Sequence, residues 1–193
     1  MDIEIKKLSP ALLEDWLEFF DNTASPGDGE WEGCYCMCYH WNDELEKRKS
    51  WNCLRADAPY NRKCAIEFIN AGKMQGYLAY HNGKAIGWCN ANDKQAYDNV
   101  NFRLPSCQKD KGKKIKSIVC FCIAPEYRGK RIATSLLEAV CADASVDGYE
   151  LVEAYPFEHD EYYAFHGPTS LYIKNGFTAV KKSGEVVVLQ KQL

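Results

Sequence analysis

No stretch of the 193 residues comes near the ~20 consecutive apolar positions that a membrane span requires; the longest apolar run is only a few residues. The first ten residues, MDIEIKKLSP, lack the charged-then-apolar pattern of a secretion signal. Basic charge is also in short supply: the net charge is −3, and the one basic run is Lys109 to Lys116, with five lysines around Gly112. A protein that reads duplex nucleic acid usually carries a basic stripe, and a short run around a glycine reads as a solvated turn. Repeats, low-complexity tracts and a convincing interdomain linker are absent as well. These absences point to a soluble cytoplasmic protein with no membrane or nucleic-acid partner.

Cysteine is abundant. The ten are Cys34, Cys36, Cys38, Cys53, Cys64, Cys89, Cys107, Cys120, Cys122 and Cys141. An even number permits a disulfide framework, but a chain of this length without a signal pattern is expected to keep them reduced. Cys34, Cys36 and Cys38 alternate, so a strand over Cys34 to Trp41 places them on one face, with Tyr35, Met37 and Tyr39 on the other. Together with His40 they suggest a soft-metal site. Zinc sites usually pair cysteines as Cys-x₂-Cys, which this is not. The sequence therefore favours buried or acceptor-facing thiols and no metal.

Apolar residues make up 46% of the chain, enough for a core of one domain. Ile3 to Leu8 reads as a strand. Ser9-Pro10 starts a helix whose apolar face is Leu12, Leu13, Trp16, Leu17 and Phe20. Asn42 to Leu54 and Pro59 to Ala71 read as polar helices, the second stopped by Gly72. Gly76 to Tyr80 and Lys84 to Asn90 flank Asn82-Gly83, a type I′ hairpin signal. Ile115 to Ala124 is an apolar, β-branched strand, predicted to be central. Lys130 to Asp147 reads as a helix with Ile132, Leu136, Leu137 and Val140 as its stripe. Glu150 to Tyr155 is a strand, and Pro168 to Asn175 is a short helix closed by Gly176. Phe177 to Lys182 and Glu185 to Leu189 are the last two strands. The class is α+β with a mixed sheet.

The segment Ile123 to Leu137 (IAPEYRGKRIATSLL) carries the most chemistry. A buried strand ends, a proline turn follows, and a helix begins with small and cationic residues. Helix N-termini expose unpaired N–H groups and the positive end of the dipole, which suits a pyrophosphate. Arg128, Lys130 and Arg131 add charge, while Gly129 and Ala133 leave room for close approach. An ordinary strand–turn–helix with exposed cations is the plainer alternative.

These residues resemble the acetyl-CoA signature of the GCN5-related N-acetyltransferases, the GNAT superfamily. That pattern, Arg or Gln, two residues, Gly, one residue, Gly or Ala, falls on Arg128 to Ala133. Arg131 stands at the usual glycine. A helical φ there keeps its N–H available, whereas a left-handed φ costs ~1 kcal/mol or more. Ser170 to Phe177 (SLYIKNGF) looks like the family's Leu-Tyr-x-x-x-Gly-Phe, and the hairpin with Ile86-Gly87-Trp88 looks like its second and third strands. Cys36-Met37-Cys38, Gly87-Trp88, Ser117 to Phe121 and Glu153 to Pro156 are similar to a bacterial subgroup of the superfamily.

The resemblance implies one acyl-CoA N-acyltransferase domain over 1–193, with a mostly antiparallel mixed sheet flanked by helices. It implies an acetyltransferase in which an amine, from a small molecule or a peptide, attacks the thioester of acetyl-CoA directly. It places pantetheine along the backbone of Cys122, Ile123 and Ala124. The pyrophosphate falls to Arg128, Gly129, Lys130, Arg131, Ile132 and Ala133, with hydroxyls from Thr134 and Ser135. It implies Tyr172 as the acid for the leaving thiolate; a packing tyrosine is the alternative. The central strand has no carboxylate, so Glu153, between apolar Val152 and Ala154, is the candidate base, against a structural role. His159 and His166 are other options, the latter as a group titrating near neutrality. Tyr155 to Gly167, with Glu158, Asp160 and Glu161, reads as an acceptor lid or a solvated loop. Trp31, Trp41 and Trp88 fall in the acceptor region. The family admits a homodimer. A catalytically silent acyl-CoA sensor and a thiol or metal-binding protein are the competing readings.

Overall fold

The computed structural model describes residues 1–24, 32–40, 58–97, 112–158 and 164–193. The expected helix at 42–54, Trp31, Trp41, Cys53, Cys107, His159, Asp160 and Glu161 lie outside them. The described strands form one seven-stranded sheet in the order β1-β2-β3-β4-β5-β7-β6. They are β1 (Glu4–Lys7), β2 (Gly76–His81), β3 (Lys84–Asp93), β4 (Ile115–Ile123), β5 (Leu151–Ala154), β6 (Thr178–Ser183) and β7 (Val186–Gln192). Every neighbouring pair is antiparallel except β4 and β5. The helices are α1 (Leu13–Glu18), α2 (Ala58–Asn70), α3 (Ile132–Val146) and α4 (Thr169–Lys174). No described helix is long and apolar enough to cross a membrane.

The β2–β3 hairpin forms where Asn82-Gly83 predicts it. Both residues are left-handed, at φ 50° and 75°, as a type I′ turn requires. β4 sits in the middle of the sheet and is buried along most of its length, which explains its nearly continuous apolar run. On one face of the sheet, Trp16 and Leu17 of α1 and Ala65 and Ile69 of α2 pack with Leu78, Trp88 and Val119. On the other, the α3 stripe of Ile132, Leu136, Leu137 and Val140 packs with Ile86, Ile118, Phe121 and Val152. Burying one such leucine contributes about 2 kcal/mol.

The strand expected over Cys34 to Trp41 is not there. Tyr35 and Cys36 are both left-handed, at φ 46° and 53°, and Met37–Tyr39 is a 3₁₀ turn. The three cysteines therefore share no strand face, and Met37, Cys38 and Tyr39 are all buried. The basic run also differs from expectation. Its last member, Lys116, enters β4 and is 1% exposed, and burial pulls its ammonium down to about 8.

Candidate active site

β4 and β5 pair only from Ile115 and Leu151 to Ile118 and Ala154. β4 then continues to Ile123, paired with β3 on its other edge. At this departure β4 has a bulge, where the register against β3 slips between Asn90 and Ala91 and leaves Val119 extra. Alternation shifts by one. Ile118, Phe121 and Ile123 pack on the α3 side. Val119, Cys120 and Cys122 pack on the other.

The splay opens into a cleft of about 600 Å³, within the ~300–1,000 Å³ range of small-molecule sites. One wall is Cys120 to Ile123. The floor at one end is the turn from Tyr127 to Ala133. Phe20, Ala24, residues 32–36, Cys38, Phe165, Gly167, Pro168 and Leu171 complete the lining. Phe20 and Ala24 reach the cleft from a π-helical turn at Phe19–Thr23, closed by the Ala24 N–H on the Phe19 carbonyl at 2.7 Å.

The turn before α3 is conformationally unusual. Gly129 has φ 72° and open space where a Cβ would stand. Arg131 is the helix N-cap and is left-handed at φ 66°. It therefore adopts the conformation natural to glycine, the costlier of the two alternatives, at ~1–2 kcal/mol. Arg128, Gly129, Arg131, Ile132 and Ala133 line the cleft. Arg128 Nε donates to the Ile123 carbonyl at 3.1 Å, which ties the turn to the end of β4. Among the described residues neither Arg128 nor Arg131 is ion-paired, so both guanidinium charges are available to an anion.

The other expected contacts fall outside the lining. Lys130 extends over the Tyr127 ring at 5.2 Å. The Ser135 hydroxyl turns back to the Arg131 carbonyl at 3.4 Å. Thr134 is half-buried and away from the cleft. Cys122 and Ile123 line it, but the Ala124 N–H is spent on the Ile86 carbonyl at 3.0 Å.

Tyr172 is fully buried between Phe121 and Phe177. Its hydroxyl donates to the His166 carbonyl at 2.6 Å, and burial raises its pKa well above the ordinary phenol value. It lies directly behind Gly167, a lining residue: a Cβ there would stand 3.4 Å from the phenol oxygen. Glu153 is also fully buried and set back from the cleft. Its oxygens are held by Lys94, by the Tyr155 hydroxyl and by Gln190 Nε2, the last at 2.7 Å. Apolar Val152 and Ala154 flank it in sequence but point to the opposite face. Tyr155 and Ser117 continue the network, oxygen to oxygen at 2.9 Å.

His166 does not titrate near neutrality. It is 4% exposed, Nε2 contacts the Tyr39 hydroxyl at 2.8 Å, and burial pushes it down to about 3. Glu158 pairs with Lys182 at the surface rather than entering the cleft. Glu32 is the carboxylate among the described lining residues. The sequence reading gave Glu32 no role of its own, read Phe20 as part of a helix's apolar face, and covered Phe165 only within the expected Tyr155–Gly167 lid. Trp88 is fully buried, edge-on to Trp16 at 5.9 Å, and its indole N–H points at Cys36 Sγ at 3.3 Å.

The eight described cysteines are all free thiols. Five of them, Cys34, Cys36, Cys38, Cys120 and Cys122, line the cleft. Among the described residues no three His, Cys, Asp or Glu side chains are arranged to hold a metal ion.

The cleft thus combines a strand splay with a cationic, glycine-like turn at a helix N-terminus, which suits a phosphate-bearing ligand. The family comparison agrees. The model of the acetyltransferase (GNAT) family matches residues 30–177, and the chain belongs to that family. No curated protein matches. Among solved structures, the PaiA N-acetyltransferase of Thermoplasma acidophilum in complex with coenzyme A aligns over all of both chains, at 18% identity and TM-score 0.59. A polyamine N-acetyltransferase of Drosophila melanogaster also aligns over all of both chains, at 10% and 0.57. A chain of the NatC complex bound to Gag peptide and coenzyme A covers all of this chain and 99% of its own, at 14% and 0.56. At these identities the likeness concerns the fold.

Proposed function

We propose that the chain is an N-acetyltransferase that moves the acetyl group of acetyl-CoA to an amine by direct attack. The observation that carries the reading is the turn at Arg128–Ala133. It opens a helix N-terminus, holds Gly129 and Arg131 in left-handed geometry, and lines the cleft with two guanidinium groups that have no carboxylate partner among the described residues. Such a terminus with added cations binds phosphates well. Pantetheine then lies along Cys122 and Ile123, whose β5-side edge is left open by the splay. One domain over 1–193 accounts for the sheet, which runs from Glu4 to Gln192.

In this reading Tyr172 supplies the proton to the departing thiolate. Its hydroxyl reaches the cleft past Gly167 once it lets go of the His166 carbonyl. Glu153 receives the amine proton at a distance, through Tyr155 and Ser117. Both roles follow from family resemblance together with these positions. The acceptor wall carries aromatic faces and one carboxylate, Glu32, which fits a small or peptide amine with an apolar body. The fly and NatC neighbours, named for a polyamine and a bound peptide, support both acceptor classes. The free thiols support a cytoplasmic setting.

Calorimetric titration of reduced protein with acetyl-CoA tests the reading, followed by a mass-spectrometric screen of amines. Micromolar binding and an acetylated product are expected. No binding up to millimolar concentration refutes the reading. Binding without turnover on any amine assigns the chain to the sensor class instead.

A further inference from the structure

We propose that the cleft holds a subsite for the flat aromatic body of a primary amine, built on the rings of Phe20 and Tyr35, and that the Asp21–Arg62 ion pair is the positioning device that keeps this subsite in shape. The amine's part as acyl acceptor rests on the acetyl-CoA reading above; the subsite itself rests on the packing of these side chains.

The cleft draws its lining from both faces of the sheet. Ile132, Ala133 and Leu171 belong to the α3 face, where the helix N-terminus suits phosphates. Phe20, Tyr35 and Phe165 line it from the face that carries α1 and α2. The surface suited to phosphate and the aromatic surface therefore lie on different faces, which leaves the aromatic one to a second ligand.

Phe20 and Tyr35 are half-buried. They pack on Trp16 of α1, which is fully buried, with ring centroids 4.3 Å from Phe20 and 6.1 Å from Tyr35. The two lining rings are themselves 6.0 Å apart, and the three planes are inclined to one another by 35° to 39°. Each lining ring thus has one side packed in the core and apolar surface left for the cleft. A flat aromatic guest extends this cluster by one more ring at the ~4.5–7 Å spacing that aromatic pairs favour. Glu32, exposed and also in the lining, supplies a carboxylate for the ammonium group.

Tyr35 is fixed from outside the cleft. It is left-handed at φ 46°, so its ring direction is held by tertiary contacts rather than by local preference. Its hydroxyl donates to Asp21 Oδ1 at 2.7 Å. Arg62 of α2 grips the same carboxylate: Nε donates to Oδ1 at 3.1 Å and to Oδ2 at 3.2 Å, and Nη2 donates to Oδ2 at 2.9 Å. Neither Asp21 nor Arg62 lines the cleft. A guanidinium fork sets the orientation of a carboxylate as well as balancing its charge. With the hydroxyl committed to Asp21, what Tyr35 offers the cleft is ring surface. Arg62 also takes up the charge of Asp21, so this acid does not draw a second ammonium, and a polycation is the poorer fit.

The test has two arms on reduced full-length protein. The first needs no acetyl transfer. Dissociation constants of 2-phenylethylamine, 2-cyclohexylethylamine and spermidine are measured by ligand-observed NMR titration. The aromatic amine is expected to bind about two- to tenfold tighter than its saturated counterpart, the range an added ring contact supplies, and tighter than spermidine. Equal affinities of the two ring compounds, tighter binding of spermidine, or no binding at all overturns the subsite. Tyr35→Leu keeps an apolar side chain and is expected to bring the ratio of the two ring compounds close to one. Arg62→Met, at a half-exposed site outside the cleft, is expected to shrink that ratio by about twofold. A ratio as in wild type overturns the positioning role, even where all three affinities fall together as a loosened fold would make them.

In the second arm acetyl-CoA is in excess and acetylated product is measured by mass spectrometry. The same order is expected in KM, with kcat nearly equal for the two ring compounds, because a contact remote from the reacting atoms is made equally in ground and transition states. A reversed order in KM overturns the subsite as an acceptor site. No product from any amine, with the order of the first arm intact, refutes the acetyl-transfer reading and leaves the subsite standing.

Discussion

Replacing Arg131 separates three contributions of one residue. Its left-handed φ of 66° costs ~1–2 kcal/mol that glycine would not incur. Glycine in turn adds unfolded-state freedom worth ~0.5–1 kcal/mol. Arg131→Gly is therefore expected to stabilise the apoprotein by about 0.5–1 kcal/mol, or roughly 1–4 °C in Tm for a chain of this size. The same change removes an exposed guanidinium from the cleft floor. At ~0.5–1 kcal/mol for an exposed charge, acetyl-CoA should bind about two- to fivefold more weakly.

Two further variants isolate each part. Arg131→Ala loses the charge but keeps a Cβ, so the affinity falls as in the glycine variant with no gain in Tm. Arg131→Val is branched at Cβ and tolerates the left-handed region worst. The turn then shifts, the N–H groups leave the cradle, and binding should fall more than tenfold. Thermal melts and calorimetry on the three proteins read all of this. A glycine variant that melts lower than wild type, or a valine variant that binds like the alanine one, refutes the claim that this backbone geometry makes the cradle.

Tyr172→Phe removes the hydrogen bond to the His166 carbonyl and is expected to cost about 1–2 kcal/mol in urea denaturation. Turnover should drop while acetyl-CoA affinity stays near wild type; unchanged turnover refutes the acid role and leaves only the structural one. Glu153→Gln uncouples Lys94 from its buried carboxylate, for an expected loss of about 2–3 kcal/mol. Turnover per folded molecule should fall with it, and an unchanged rate refutes Glu153 as proton acceptor. Burial holds His40 at about 4 and His166 at about 3, against 6.5 in the unfolded chain. Between these values the unfolded state binds more protons, so stability is full above pH 6.5 and falls as pH drops toward 4 and then 3. The slope is at most about 1.4 kcal/mol per pH unit for each histidine. A urea midpoint flat between pH 6.5 and 5 contradicts the burial of both rings.

The parts legible in the sequence are those fixed by neighbours along the chain. Asn82-Gly83 specifies its own hairpin, Gly176 its own helix stop, and Arg128 to Ala133 its own turn. The misread parts are decided by distant residues. The alternating cysteines from Cys34 to Cys38 have a strand's pattern, and neither Tyr35 nor Cys36 signals a left-handed backbone. His166 beside Gly167-Pro168 looks like a loop histidine until the Tyr39 phenol, 127 positions away, covers it. Glu153 points away from its apolar neighbours Val152 and Ala154, and its environment is made by Lys94 and Gln190 from other elements. Lys116 closes a basic run but falls in the buried part of β4, where its ammonium meets Gln75 at 3.4 Å.

The bulge at Val119 shows why the cleft itself escapes a reading by period. A strand alternates every two residues. A regular β4 that keeps Ile118 on the α3 side would send Cys120 and Cys122 to that same side. Phe121 and Ile123 would then face the opposite way. One unpaired residue reverses this. Phe121 stays against α3 and beside Tyr172, while the two cysteines turn toward Cys34, Cys36 and Cys38. The reversal occurs where pairing with β5 stops, so the same step frees the strand edge and selects the side chains along it. An open strand edge and a thiol-lined cleft wall thus follow from one irregularity. Nothing in the residues IKSIVCFCI announces it, because each of them suits a regular strand equally well.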